Sequence, residues 1–399
     1  MDASSSAAAT TEGGSEPISA FKQKLTQHKR RGNDPNRLDD VGEMIDASQL
    51  LLATDGNAEL RSSLSENDRL YPLDVTTIAK EFTEEVYEGP VFGIRGFPGC
   101  YLAPQAIDEA LQLELAYRAV AEWCEEPHRT NIDLQPAKAS ERVNGSGERM
   151  WTLWKQQRKN LAIAPSAKKH KSHHHSPSKN EPETKYYRSF KKLSWATLGY
   201  HYNWTKRSYC PDEKSPMPPL LAQVSTRFAK TSLLLEQSSQ TNGKRDFSLT
   251  FNPTASIVNY YNAKSYMGGH QDDLELALDK PIASISLGLP AVFLLGGKSK
   301  EETPVVAILL RPGDVLCMGG ACRLSFHAMA RIIPLEAAAK IPLPTLSPFQ
   351  GRLTKEVCPI EATDRDVAEE ELQEVRDYLQ HHRININVRQ VYPDDETVK

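Results

Sequence analysis

The chain has 399 residues, of which 39% are hydrophobic and 25% charged, and its formal net charge is −4. This balance excludes a membrane-spanning helix, because the longest apolar run, Val305 to Leu310, is far short of the ~20 residues needed to cross a bilayer. It also excludes polyanion binding through global charge, so any nucleic-acid contact has to come from local basic patches.

The length accommodates two or three average domains, or one large β-domain with extensions. The six cysteines, Cys100, Cys124, Cys210, Cys317, Cys322 and Cys358, show no Cys-x-x-Cys spacing, which argues against a disulfide scaffold or zinc ribbon and for a reducing compartment. The opening MDASSSAAATTEGGSEP has neither arginine nor an apolar core, so it reads as no secretory signal and no clear mitochondrial presequence. Cytoplasm or nucleus is expected by elimination, with the mitochondrion left open, and a monomer is the default.

Residues 1–85 are expected to form a largely disordered or irregular extension: the first seventeen are of low complexity, and Phe21 to Asp68 is charged and weakly periodic. A folded domain is expected over 86–392, with 393–399 as a tail. From Val86 the run VYEGPVFGIRGFPGCYL reads as short extended pieces between Gly/Pro turns. Pro104 then opens a helix to about Cys124, with Ile107, Leu111, Leu115 and Val120 at helical spacing.

Residues 155–192 carry eleven Lys/Arg against two acids, around SHHHSPS. Such a stretch cannot bury enough surface to fold alone, so it is expected to be a basic disordered insertion, either a solvated linker or a flexible arm that contacts phosphates. Strand candidates follow at Trp195 to Trp204, Ile257 to Asn262, Pro281 to Leu289, Ala291 to Leu295, Val305 to Leu310, Val315 to Met318 and Ile384 to Val391, several separated by GLP, GGK and RPGD turns. An amphipathic helix, roughly Arg365 to Gln380, precedes the last strand. Short strands punctuated in this way favour a sandwich or jelly roll.

His270 and Asp272 form a His-x-Asp pair, and His327 follows on a strand-rich background. Two imidazoles and one carboxylate occupy one face of a non-haem iron and leave positions for a co-substrate and dioxygen. In HHRININVRQV the two-residue period puts Ile384, Ile386 and Val388 on one face, and Arg383, Asn385, Asn387 and Arg389 on the other. Arginine forks carboxylates and keeps its charge when buried, so this face suits a small dicarboxylate, approached from opposite ends by guanidinium groups on a strand segment about 20 Å long. Upstream, Asn259 and Tyr261 share the face of a strand that leads through Gly268 and Gly269 into the ligand pair.

The runs NYYNAKSYMGGHQDDLE, SISLGLPAVFLLGG, RPGDVLCMGGACRLSFH and RININVR together resemble the AlkB family of Fe(II)/2-oxoglutarate dioxygenases. FPGCYL, EEPHRTNID and LSWATLGYHYNW resemble its eukaryotic AlkB homologue 1 branch. The resemblance covers about Val91 to Val391. It implies a double-stranded β-helix (jelly-roll) core with flanking helices, mainly β within an α+β fold, and Fe(II), 2-oxoglutarate and O2 as cofactor and co-substrates.

Carried over by position, the resemblance makes His270, Asp272 and His327 the iron ligands and pairs Arg383, helped by Tyr261, with the distal carboxylate of 2-oxoglutarate. Asn259, Asn385 and Arg389 would line the same pocket towards its other end. Trp195, Tyr200 and Tyr202 fall where the family places the aromatics of its nucleotide-recognition lid, and Arg323 joins these substrate-side residues in a positioning role.

Two positions depart from the family pattern: Asn387 stands where threonine is common, and Leu274 stands where bacterial members carry an acid that reads the base. The implied activity is oxidative demethylation of N-methylated bases, releasing succinate, CO2 and formaldehyde. tRNA 1-methyladenosine is the first-choice substrate, with N6-methyladenine or 3-methylcytosine in DNA or RNA next. The alternatives are a lysine or arginine oxygenase acting on histones or other proteins, and a nucleic-acid binding protein or abasic-site lyase without oxygenase turnover.

Overall fold

The computed structural model describes residues 18–31, 44–48, 51, 69–79, 85–133, 149–163, 190–203, 205–240, 249–341, 352–355, 357–358 and 367–394. Two antiparallel sheets face each other across the domain. The larger runs in the order β1 (Leu70–Leu73), β2 (Val91–Ile94), β3 (Phe97–Ala103), β12 (Val315–Met318), β9 (Ile282–Gly288), β14 (His382–Arg389), β7 (Ala255–Asn262), β5 (Trp195–Asn203) and β4 (Arg129–Thr130), with β6 (Ser208–Lys214) paired to β5. The smaller runs β11 (Val306–Leu310), β10 (Ala291–Leu295), β13 (His327–Ile332), β8 (Met267–His270). With helices on its outer faces, the short α2 (Val75–Ala79) and α6 (Leu335–Ala338) among them, this is the expected jelly-roll core. No helix among the described residues is long and apolar enough to cross a membrane.

Strand composition dictates the layers. In β14 the side chains of Ile384, Ile386 and Val388 enter a core shared with helices α3 (Glu109–Ala121), α4 (Met150–Ile163), α5 (Pro219–Gln240) and α7 (Glu369–Leu379). Alternate residues on the same strand, Asn385, Asn387 and Arg389, line a cavity between the sheets.

The small sheet cannot leave either face in water, because AVFLL and VAILL are apolar throughout. Phe293, Leu295, Ile308 and Leu310 pack inward against the large sheet, while Val292, Leu294, Ala307 and Leu309 point outward. Helix α1 (Ala20–Arg31) covers that outer face through Phe21 and Leu25. A Cβ on Gly269 or Gly296 would lie 2.6 or 2.8 Å from the Phe21 ring, so both positions need glycine for this close approach. Residues 20–31 are therefore a packed part of the domain, although in sequence they carry too few apolar positions to announce a helix; 1–17 lie outside the described residues.

Other boundaries shift for local reasons. The helix expected from Pro104 begins at Glu109, because the Asp108 carboxylate caps the Leu111 amide at 2.8 Å and Gln105 takes a positive φ of 47°. The first part of the basic stretch belongs to α4, where Trp151 and Trp154 stack on each other and pack on Phe190 and Tyr378. Its cations meet acids of α7: Lys155 pairs with Glu371, and Arg158 reaches Asp377 at 2.6 Å. That segment is therefore helical and ion-paired where disorder was expected; 164–189, with the histidine run, lie outside the described residues. Helix α5 is an addition to the sequence reading, with Leu221, Val224, Phe228 and Leu235 buried on one face.

Two buried histidines at the base of the β5–β6 hairpin set an acid limit. His128 is hydrogen-bonded to Ser215 Oγ (2.7 Å) and His201 to Thr197 Oγ1 (2.9 Å). Burial pushes both down to about 4, helped at His201 by the Arg129 guanidinium. The folded pKa lies below the unfolded one, so this stability is fully present above pH ~6.5 and is lost as pH falls from there towards 4, by on the order of 2–3 kcal/mol per histidine. Urea midpoints measured between pH 7.5 and 4.5 should fall, and His128→Gln with His201→Gln should flatten that slope.

Candidate active site

β8 and β13 are neighbours in the small sheet, in a register that sets His270 directly opposite His327. Asp272 follows β8 by two residues, and one ligating atom from each of the three lies within 4.8 Å of the others. Asp272 Oδ1 is 3.8 Å from His270 Nε2, and its Oδ2 is 3.9 Å from His327 Nε2. These separations leave room for an ion between them.

Both imidazoles donate Nδ1–H to a backbone carbonyl two residues back, His270 to Gly268 (2.9 Å) and His327 to Ser325 (3.0 Å). This fixes the tautomer and aims each Nε2 lone pair at the shared point. Burial, with His270 beside it, pushes His327 down to about 4, so it is neutral at physiological pH. At Asp272 burial pushes the carboxyl up, but Arg389 and then the two imidazoles outweigh it and hold the group well below the usual carboxylate range. Two imidazoles and a carboxylate with an open side form the donor set that suits a catalytic divalent iron.

The ligand atoms border a cavity of about 580 Å³ between the sheets. Of the expected co-substrate residues, Asn259, Tyr261, Asn385 and Arg389 line it. Arg383 does not itself line the cavity; it is fully buried and in register with Tyr261, which does. Arg383 donates to the Leu289 carbonyl (3.1 Å) and Ser286 Oγ (2.8 Å), yet no carboxylate among the described residues pairs with it and its Nε has no acceptor. Burial pushes this guanidinium down to about 10. A buried cation with no carboxylate in direct contact and with a spare donor fits a ligand carboxylate.

Arg389 also has an orphaned Nε, while its other nitrogens reach Glu275 (2.8 Å) and Asp272 (3.2 Å). The strand expected to run from Asn259 into His270 is two strands in different sheets. Hydrogen bonds between Asn262 and Ser265 turn the chain from one to the other.

The substrate-side expectations divide. Tyr202 lines the cavity mouth and packs edge-on to Tyr209, with ring centroids 5.4 Å apart. Tyr200 packs against Tyr392 instead, and neither it nor Trp195, which pairs with Asn259 in the next strand, lines the cavity.

Arg323 is a correction. Only 2% exposed, it is held by the Lys280 carbonyl (3.1 Å), the Asp272 carbonyl (2.5 Å) and Glu275 (3.0 Å), so it supports the ligand loop from outside the cavity lining, a positioning role without a place on the substrate side. The sequence reading passed over Tyr209, Arg207, Ser284 and Glu275, all of which line the cavity. Ser284 was signalled by its alternation with Ile285 in the strand SISLG. Glu275 and Tyr209 meet only in the fold.

Residues 150–389 match the family described as the 2OG-Fe(II) oxygenase superfamily. Among curated relatives, the mouse protein named nucleic acid dioxygenase ALKBH1 is 29% identical over 363 residues, covering 88% of this chain and 79% of the relative. The Arabidopsis thaliana protein named DNA N(6)-methyladenine demethylase ALKBH1A is 30% identical over 362 residues, covering 87% of this chain and 88% of the relative. A Schizosaccharomyces pombe protein named tRNA demethylase abh1 is 37% identical over 145 residues, covering 36% of this chain and 43% of the relative.

Proposed function

This chain belongs to the 2OG-Fe(II) oxygenase superfamily, in its AlkB branch, and from that premise we propose that it removes methyl groups from nucleic-acid bases. It is a dioxygenase that uses Fe(II), 2-oxoglutarate and O2. The observation that carries the proposal is the His270, Asp272, His327 triangle beside a cavity whose wall includes the unpartnered Nε of Arg389.

In this reading the two Nε2 atoms and the Asp272 carboxylate hold the iron. Arg383 and Arg389 take the carboxylates of 2-oxoglutarate, with Asn259, Tyr261 and Asn385 completing its pocket. When bound, the iron with 2-oxoglutarate and O2 supplies the oxidation of a C–H bond, giving succinate and CO2, and an N-methyl group hydroxylated in this way leaves as formaldehyde. The protein's share is to set the methyl group beside the metal and exclude water.

Tyr202 and Leu274 offer apolar surface at the mouth, and Arg207 offers a cation to a phosphate. A base can reach this depth only when unpaired or flipped from its helix. tRNA 1-methyladenosine is our first choice, in keeping with the relative named a tRNA demethylase, and N6-methyladenine or 3-methylcytosine come next. Leu274 leaves no acid at the position where the bacterial pattern reads a base.

Nucleoside mass spectrometry of total RNA and DNA, before and after incubation with the protein, Fe(II) and 2-oxoglutarate, tests this without assuming a base. The expected result is loss of one methylated nucleoside with matching formaldehyde. No nucleoside loss, together with oxidation of methylated peptides supplied in parallel, would replace the reading with a protein oxygenase.

A further inference from the structure

Glu275 is 3% exposed and has three partners, each of which leads to a different part of the site. Its Oε1 accepts from Arg389 Nη1 (2.8 Å) and from the Tyr209 hydroxyl (3.0 Å), and its Oε2 accepts from Arg323 Nη2 (3.0 Å). Arg389 then reaches Asp272 Oδ2 at 3.2 Å, while Arg323 Nη1 donates to the Asp272 carbonyl at 2.5 Å. One carboxylate thus anchors the two guanidinium groups that grip Asp272 at its side chain and its backbone. Without it, two buried cations would share Asp272 alone, and neither would be oriented from behind.

The third partner gives this arrangement a second meaning. Tyr209 sits on β6, which joins the large sheet only through β5, and it lines the cavity beside Tyr202. The hairpin at the cavity mouth is therefore hydrogen-bonded to the group that orients a metal ligand.

We propose that Glu275 is a positioning residue: through Arg389 and Arg323 it fixes the orientation in which Asp272 offers its carboxylate to the metal, and Tyr209 makes that orientation depend on the seating of the β5–β6 hairpin. This rests on Asp272 being a metal ligand. Outer partners of ligating carboxylates commonly matter about ten- to a hundredfold for metal affinity.

The test is Mn(II) binding to the full chain by calorimetry, which requires neither turnover nor a known substrate. Glu275→Gln keeps shape and removes charge, and it should weaken Mn(II) about tenfold. Tyr209→Phe should weaken it about fivefold, the effect of losing one hydrogen bond of ordinary strength. The double variant should fall within about twofold of Glu275→Gln, because the hydroxyl acts through the carboxylate. Multiplication of the two losses would overturn the coupling, and unchanged affinity in Glu275→Gln would overturn the positioning role. Should Glu275→Gln fail to fold, Tyr209→Phe decides alone, and unchanged affinity in it overturns the proposal. Asp272→Ala separates the premise: Mn(II) bound as before would mean that the metal site itself is misassigned.

Discussion

Succinate formation by His270→Ala is expected to fall by more than about a thousandfold, roughly 4 kcal/mol of lost transition-state stabilisation, while the fold stays intact. The two halves of that result have separate causes. Chemically, removing one of three ligands leaves an imidazole and a carboxylate, which cannot hold a divalent ion in the face-capping geometry that keeps positions open for co-substrate and O2. Structurally, His270 is the most open of the three, its side chain 36% exposed, and its one hydrogen bond reaches a carbonyl two residues away in its own strand. The substitution therefore empties no core cavity and strands no buried partner, and thermal melting without metal should shift little. His327→Ala would be a poorer test, because His327 is buried against Phe293 and its loss would confound chemistry with packing. Turnover by His270→Ala equal to that of the unaltered chain would remove His270 from the ligand set.

Local periodicity made much of this site legible. Ile384 to Arg389 alternates so regularly that the sequence divides β14 into a core face and a cavity face, and the structure keeps that division. His270, Asp272 and His327 were visible as a pattern, and their meeting depends only on β8 and β13 being neighbours in register. What stayed hidden depends on contacts between distant segments. Helix α1 is only weakly apolar in sequence, and its place becomes intelligible once both faces of AVFLL and VAILL need cover. Arg323 lies four residues before a ligand and reads as a site residue, but only the fold shows its guanidinium turned to the Asp272 carbonyl and Glu275, outside the cavity lining. Lys155 and Arg158 look like free charge until α7 brings Glu371 and Asp377 alongside.

Arg383→Ala should raise the 2-oxoglutarate requirement by on the order of a hundredfold or more, since a buried charge-assisted contact to a carboxylate contributes ~3 kcal/mol. A large effect alone would not separate co-substrate binding from simple structural damage, because Arg383 is fully buried in the middle of the large sheet. The sign of the stability change separates them. An arginine kept for structure pairs its charge inside the protein, and removing it strands the partner, at roughly 3–5 kcal/mol. Arg383 pairs with no carboxylate among the described residues: it holds only the Leu289 carbonyl and Ser286 Oγ, and its Nε is orphaned. Its charge is thus a cost to the protein without 2-oxoglutarate, and the ligand carboxylate offsets that cost.

Arg383→Met, which fills the space without charge, should therefore melt no more than slightly below the unaltered chain when 2-oxoglutarate is absent. With 2-oxoglutarate at a hundred times its dissociation constant, the unaltered metal-loaded protein should gain about 2.7 kcal/mol, and the variant almost none of it. If Arg383→Met instead unfolds early without ligand and still gains the full increment with it, Arg383 is a structural cation and the dicarboxylate is held elsewhere in the cavity.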